Sequence, residues 1–219
     1  MRQSKIFEVF QDKYNKLFTI NLIPGIRLND EKLIKEKNNE YREWDAYTSK
    51  LATLILKGCT NIGLRKNDVV LYLGSATGTT VSHVSEIIGK EGFVFAVDFA
   101  PRVTRDLIFV SEKRKNIAPI LADANKPDKL IERVSEVDVL YQDIAQKNQV
   151  QIFLKNIDIF LKDKGYALLA VKARSIDVTK NPKEIFKKVR EELENKVTII
   201  DFRLLEPFQK DHCMFVCKK

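Results

Sequence analysis

Residues 69–83 read VVLYLGSATGTTVSH, and the fold turns on how this stretch is taken. The run from Val69 to Leu73 has the length and β-branched content of a strand buried on both faces, as in a parallel sheet. Gly74, Ser75, Ala76, Thr77 and Gly78 follow with almost no side-chain bulk. Small residues at a strand-to-helix turn let a ligand approach the backbone, and the free N–H groups of the next helix point at it. A tight β–α turn with no ligand would use the same five residues, so the rest of the chain has to decide.

Further apolar runs predict strands at 93–98, 117–122, 137–143 and 165–172. They alternate with helices at 79–89, 101–115, 127–134, 148–163 and 182–195. Successive β–α units imply an α/β fold with a doubly wound parallel sheet and right-handed crossovers. The last two runs, VTIIDFRLLEPF and HCMFVCKK, have no helix between them and predict an antiparallel hairpin that brings the sheet to seven strands. Residues 1–48 differ. KIFEVF and KLFTINL are short apolar clusters, broken up by Asp12, Lys13, Asn15 and the Pro24-Gly25 turn, and predict a small β-rich N-terminal domain ahead of a larger domain at 49–219. The charged segment 29–45, NDEKLIKEKNNEYREWD, reads as a solvated strand or loop leading to Trp44.

A chain of 219 residues supports one substantial core, or a core with an appendage. No apolar run approaches the ~20 residues of a membrane span, and MRQSKIFEVF lacks the apolar region of a signal peptide, so an intracellular, cytoplasmic protein with no membrane contact is expected. Cys59, Cys213 and Cys217 fit neither a disulfide framework nor a metal-ligand spacing and read as buried thiols, the last two on one side of a strand; no metal site is expected. The net charge of +8 favours a polyanionic partner over an acidic one.

In an open α/β sheet, ligands bind beyond the carboxyl ends of the strands. At that edge lie the glycine loop, Asp98 at 24 positions past Gly74, Asp123 and Ala124 in ILADANKP, Asp143 in LYQDIAQ and Lys172 in LLAVKARS. An antiparallel strand begins where its parallel neighbours end, which brings His212 to the same edge. An acid at the place of Asp98 can accept both ribose hydroxyls of an adenosine. Singly, these residues could be loop caps, a surface acid, an ion-pair partner and a turn residue; their meeting on one edge favours a site. Leu51, Leu54 and Ile55 predict a further helix over 47–58, capped by Thr48 or Ser49, with Lys50 in its first turn. A cation there opposes the helix dipole: it is either a tolerated solvated lysine or one with another reason. His83 falls at a half-exposed helical position with no catalytic role assigned, and there is neither a nucleophile elbow nor a Walker lysine.

Taken in order and spacing, VLYLGSATGTTVSH, AVDFAPR, ILADANKP, LYQDIAQ, VKARSID and LEPFQKDHCMF resemble the fibrillarin family in its compact form without a glycine-arginine-rich tail. The resemblance runs from about Tyr47 to the C-terminus and is weaker before it. It implies a Rossmann-like seven-stranded S-adenosylmethionine-dependent methyltransferase fold and RNA 2′-O-ribose methylation of rRNA and tRNA. It also implies a place in a box C/D guide ribonucleoprotein, with guide RNA, a Nop-domain scaffold protein and a kink-turn-binding ribosomal-type protein.

Carried onto this sequence, the implied cofactor contacts are Gly74, Ala76, Thr79, Thr80, Asp98, Phe99, Asp123, Ala124, Asp143, Ile144, Ala145 and Gln146. The implied catalytic set is Lys50, Asp143, Lys172 and His212, which gives Lys50 its reason. The expected roles are that Lys172 orients or deprotonates the ribose hydroxyl, Asp143 fixes that lysine, and Lys50 and His212 hold the ribose and phosphate. The chain departs from the family at Asp98, where many relatives carry Glu, and has Ala76 in place of the central glycine common in methyltransferase loops. Three rivals fit less well. A stand-alone methyltransferase of the heat-shock type would put glutamate at the place of His212, a non-catalytic RNA-binding subunit has no need of Lys50, and a nicotinamide dehydrogenase requires G-x-G-x-x-G.

Overall fold

The computed structural model describes all 219 residues, which build two sheets. The first is antiparallel and contains β1 (Arg2–Gln3), β2 (Val9–Gln11), β3 (Leu17–Ile20), β4 (Leu33–Glu36) and β5 (Asn39–Trp44) in the order β1-β2-β3-β5-β4. The second contains β6 (Val69–Leu73), β7 (Phe93–Asp98), β8 (Ile117–Leu121), β9 (Val137–Gln142), β10 (Leu161–Lys172), β11 (Thr198–Leu204) and β12 (His212–Lys218). Its order is β11-β12-β10-β9-β6-β7-β8, and β12 alone runs against its neighbours. The expected hairpin is present, with its second strand inserted beside β10 so that the first becomes the edge.

Period-2 alternation sorts the large sheet into two cores. Val70, Tyr72, Val139, Tyr141, Leu168, Ala170 and Met214 face α1 (Lys50–Leu56), α2 (Thr79–Ile88) and α3 (Pro101–Lys113). Leu71, Leu73, Leu140, Leu169, Val171, Cys213 and Phe215 face α4 (Gln149–Phe160) and α6 (Pro182–Glu194). Cys213 and Cys217 share that second face, as their spacing predicts, and all three thiols are buried. Burial pushes Cys59 up to about 11 and Cys217 up to about 12.

Local departures from the sequence reading have physical causes. Over 127–134 the chain makes only a 3-10 turn, Pro127–Leu130: the Lys129 and Arg133 amides bond three residues back, and the single four-back bond, from the Val134 amide to Leu130, is not continued. Helix α4 stops at Phe160 and β10 starts at once, earlier than expected, with a register shift between Leu161 and Tyr166 at the left-handed Lys164. The 29–45 segment is solvated only in part: Asn29, Asp30, Lys32, Lys35 through Asn39 and Asp45 are exposed. It forms the β4–β5 hairpin, and β5 buries Glu40, Tyr41, Arg42 and Trp44 because the small sheet lies on α2. Ile6, Val9, Leu17 and Trp44 join the core that contains α1 and α2.

The two sheets are also joined by buried charge. Glu86 on α2 accepts from Arg42 Nε at 3.0 Å, from Arg114 Nη2 at 2.8 Å and from the Thr19 hydroxyl. Arg42 also donates to Ser82 at 2.7 Å and to Glu31 at 3.0 Å. His83 is 2% exposed, contrary to the half-exposed reading, and stacks on Trp44 with ring centroids 4.8 Å apart. Because the Thr19 hydrogen goes to Glu86, the 2.7 Å contact to Thr19 makes His83 Nδ1 the donor. Burial, with Arg42 adding, lowers His83 to about 4, so it is neutral near pH 7.

Candidate active site

The ends of β6, β7 and β9 place the loop residues around one recess. Gly74 N–H donates to the Val97 carbonyl at 2.8 Å, and Asp143 N–H to the Leu73 carbonyl at 2.9 Å, so the three strand ends are tied together. A Cβ on Gly74 would lie 2.3 Å from the Asp143 carbonyl oxygen; only glycine fits this approach. Gly78 ends the loop at φ 98° and gives α2 no side-chain cap, which leaves the first amides of that helix free.

The recess encloses about 300 Å³ and is lined by ten of the twelve expected cofactor contacts: Gly74, Ala76, Asp98, Phe99, Asp123, Ala124 and Asp143 through Gln146. Asp98 is shaped for hydroxyl recognition. One carboxylate oxygen accepts from the Ala76 amide at 2.9 Å and the other from the Ala100 amide at 3.0 Å, so each keeps a lone pair. Asp123 spends one oxygen on the Asn125 amide at 2.9 Å. The Phe99 ring beside it is 67% exposed, an apolar face without a protein partner over much of its area. A carboxylate with spare lone pairs, a backbone approach that only glycine permits and an open aromatic face fit an adenosine.

Thr79 and Thr80 are not in this lining. Thr79 lines a separate cleft against the N-terminal sheet and accepts from Asn29 at 3.3 Å, while the Thr80 hydroxyl donates to Ser49 Oγ at 3.0 Å.

At the mouth, four residues from distant parts of the chain come together. Ser49 is the N-cap of α1, so Lys50 is its first residue, and its ammonium donates to Asp143 Oδ2 at 2.9 Å with both side chains 23% exposed. That contact sets an opposite charge against the helix dipole, which is worth ~0.3–1 kcal/mol at a partly exposed terminus. Asp143 holds Lys50 and not Lys172, its expected partner, because α1 delivers the Lys50 ammonium to the end of β9. Lys172 ends β10 exposed, and His212, which begins β12, is its register partner. His212 Nδ1 lies 2.6 Å from the Lys210 carbonyl, an acceptor only, so Nδ1 carries the hydrogen and Nε2 keeps its lone pair. Burial, then the charge of Lys50, lowers the His212 pKa, with Lys172 adding, against the pull of the Lys210 carbonyl and Asp143. Burial also drives the phenols of Tyr72 and Tyr141, beneath this edge, well above their usual range, and the charge of Asp143 adds to it.

The edge thus presents one neutralised cation, one free cation and one neutral imidazole acceptor beside a nucleoside-sized recess. Sequence reasoning missed Ser49 and Thr80 as a bonded pair, and no local pattern signals a contact between residues 31 positions apart. No helix is long and apolar enough to cross a membrane.

Comparison with known proteins agrees with this geometry. The fibrillarin family model matches residues 1–219. The fibrillarin-like rRNA/tRNA 2′-O-methyltransferase of Thermococcus gammatolerans is 47% identical over 208 residues, covering 95% of this chain and 92% of that one. The crystal structure of Aeropyrum pernix fibrillarin with natively bound S-adenosyl-L-methionine superposes with a TM-score of 0.90 at 44% identity, covering 99% and 96% of the two chains. A fibrillarin from a complex with Nop5p gives 0.90 at 40% identity and 99% coverage of both. The chain belongs to the fibrillarin family.

Proposed function

We infer that this chain is an S-adenosylmethionine-dependent RNA 2′-O-ribose methyltransferase and the catalytic subunit of a box C/D guide ribonucleoprotein acting on rRNA and tRNA. The observation that carries the reading is the meeting of the Lys50–Asp143 pair and the Lys172/His212 register pair at the mouth of the recess.

Gly74, Asp98, Phe99, Asp123 and the 143–146 turn would hold the cofactor: Asp98 by the ribose hydroxyls, Phe99 by the base face, Asp123 and Ala124 by the base edge. When bound, S-adenosylmethionine supplies a methyl group activated on a sulfonium. The chain's own residues do the rest. A ribose 2′-hydroxyl is a weak acid and a poor nucleophile, so alignment carries most of the catalysis, up to ~7–11 kcal/mol in favourable cases. Removal of its proton adds about 10²–10⁴-fold. Lys172 is the exposed group nearest in register to His212 and meets the hydroxyl. Neutral His212, through Nε2, accepts a hydrogen from Lys172 or the ribose. Lys50 fixes Asp143 at the cofactor's edge, and Asp143 in turn keeps the Lys50 ammonium from adding an unbalanced charge beside Lys172.

Residues 1–48 act as a packing module on the methyltransferase domain at 49–219, which the shared core and the Glu86 cluster support. The chain has no recognisable single-strand-binding module, so target choice falls to base pairing with a guide RNA. A Nop-domain scaffold is the protein partner, supported by the similarity to the fibrillarin of the Nop5p complex, and a kink-turn-binding protein completes the particle. The test is methyl transfer to a guide-matched RNA. Transfer to the 2′-oxygen only with scaffold and guide present supports the reading; site-specific transfer by the chain alone, or none in the full particle, overturns it.

A further inference from the structure

Three side-chain amides are buried among the apolar residues between the large sheet and α4. Gln142 ends β9, Gln149 is the first residue of α4, and Asn156 lies two turns further along that helix; each is 0% exposed. Gln142 Nε2 donates to the Gln149 carbonyl at 2.7 Å, and Gln149 Nε2 to the Gln146 carbonyl at 2.9 Å. Asn156 Nδ2 donates to the Ala124 carbonyl at 2.9 Å and to the Ile152 carbonyl at 2.8 Å. The side-chain oxygens of all three have no partner. A buried amide with an unmet acceptor destabilises a core in which an apolar side chain of the same shape would fit. What sets these amides apart is where their donors end: two of them reach the turns at 122–124 and 143–146 that wall the recess, and the third holds the start of the helix that carries both.

The two walls are held unequally. The Gln146 carbonyl accepts twice from Gln149, from Nε2 and from the backbone amide at 3.3 Å, so that wall keeps a bond if one is lost. The Ala124 carbonyl has Asn156 as its one donor. Other bonds of this turn lie elsewhere: the Ala122 amide donates to Asp98 and the Lys126 amide to the Asp123 carbonyl, both at 2.9 Å, and an exposed contact of 3.3 Å runs from Asn148 to the Asn125 side chain. The Ala124 carbonyl and the Asn125 N–H belong to one rigid peptide group. Asn156 holds the oxygen of that group, and its N–H donates to Asp123 Oδ1 at 2.9 Å, so the aim of the Asp123 carboxylate follows the plane that Asn156 fixes.

We propose that Asn156 is a positioning residue for base recognition: through the 124–125 peptide it aims the Asp123 carboxylate, and so sets the preference of the recess for a 6-aminopurine over a 6-oxopurine. This rests on the cofactor reading above. A 6-amino group donates to a carboxylate, whereas a 6-oxo group sets a lone pair against it. Asn156 is fully buried and outside the lining, so it acts on the base through Asp123.

The experiment is calorimetric titration of the full chain with S-adenosylhomocysteine and with its deaminated form, S-inosylhomocysteine, which transfer no methyl group. Wild type should favour the adenosine form by about 100-fold, the scale of one hydrogen bond to a charged group. Asn156→Leu removes the donor at similar volume. It should weaken the adenosine form about tenfold and leave the inosine form unchanged, so that the preference falls to about tenfold. Asn156→Ser keeps a hydroxyl for the Ile152 carbonyl but is too short for Ala124, and should give the same result where the leucine variant does not fold. A merely structural role would weaken both ligands by one factor. Wild-type preference in a folded variant, or equal weakening of both ligands, would overturn the inference. A wild type that binds neither compound, or both alike, would instead bring down the cofactor reading beneath it.

Discussion

Glu86 and Asp143 are both carboxylates held by a cation, and they sit in opposite circumstances. The Glu86 side chain is inaccessible to solvent, and both its oxygens are occupied by Arg42, Arg114 and Thr19. Asp143 is 23% exposed and has Lys50 alone, with unpaired Lys172 and a neutral imidazole nearby. The first cluster has spent its hydrogen-bonding capacity on the protein and can only hold elements together. The second keeps a cation and a lone pair unspent at the mouth of a recess, where a substrate can use them. Residue types are nearly the same in both, so chemistry is read from exposure and unused capacity rather than from identity.

The sharpest way to break this contrast is to remove one group from each side. Lys172→Ala should lower methyl transfer by about 10²–10⁴-fold. Stability should stay within ~0.5 kcal/mol of wild type, since Lys172 is exposed at a strand end. Near wild-type transfer in the particle would remove Lys172 from the mechanism. Glu86→Ala should do the reverse. It leaves Arg42 and Arg114 buried without their shared partner, which costs about 3–5 kcal/mol and is read as a lower urea midpoint, while the variant that remains folded keeps its cofactor affinity. A Glu86→Ala protein as stable as wild type would mean that the small sheet is held by its apolar contacts alone.

Acid should find the buried cluster before the rest of the fold. Folded His83 is lowered to about 4 from 6.5, so the unfolded chain takes up the proton first. Stability present above about pH 6.5 is therefore lost as pH falls toward 4, by about 3 kcal/mol at 1.36 kcal/mol per unit. Glu86, which burial alone would raise, is brought down to about 2 by Arg42 and its other partners, and a second loss follows as pH falls from ~4.3 toward that value. Urea midpoints at pH 7, 5 and 3 measure both steps, and His83→Gln should remove the first. An unchanged midpoint from pH 7 to pH 5 in wild type would show that His83 is not held neutral by burial.

The large sheet and its ligand edge were legible because both follow from patterns within the sequence. Period-2 apolar runs give the strands, and chain direction alone puts His212 opposite Lys172. What was not legible depends on long-range partners. Arg42 lies in a stretch whose every local feature reads as solvated, and it is buried because Glu86, 44 positions on, is there to receive it. His83 read as half-exposed because nothing in α2 shows that a second sheet covers that face. Likewise Asp143 met Lys50, 93 positions away, in place of Lys172, and the Thr80 hydroxyl turned to Ser49. Polarity marks which residues seek partners, but topology decides which partners they find.

The smallest effect separates two aromatic rings in the same way as it does the two carboxylates. Trp44 is 1% exposed and stacks on His83, so it belongs to the joint between the sheets. Phe99 is 67% exposed on the wall of the recess, where burial offers the fold little. Phe99→Ala should therefore leave the melting temperature of the cofactor-free protein unchanged and weaken S-adenosylmethionine binding by ~1–2 kcal/mol, roughly tenfold, the scale of one base against one aromatic face. Cofactor at 100 times its Kd stabilises the wild type by ~2.7 kcal/mol, and at that same concentration the increment in Phe99→Ala should shrink by about half. If both proteins gained equally, the base would lie elsewhere in the recess, and Asp123 with Ala124 would have to hold it without a stacking partner.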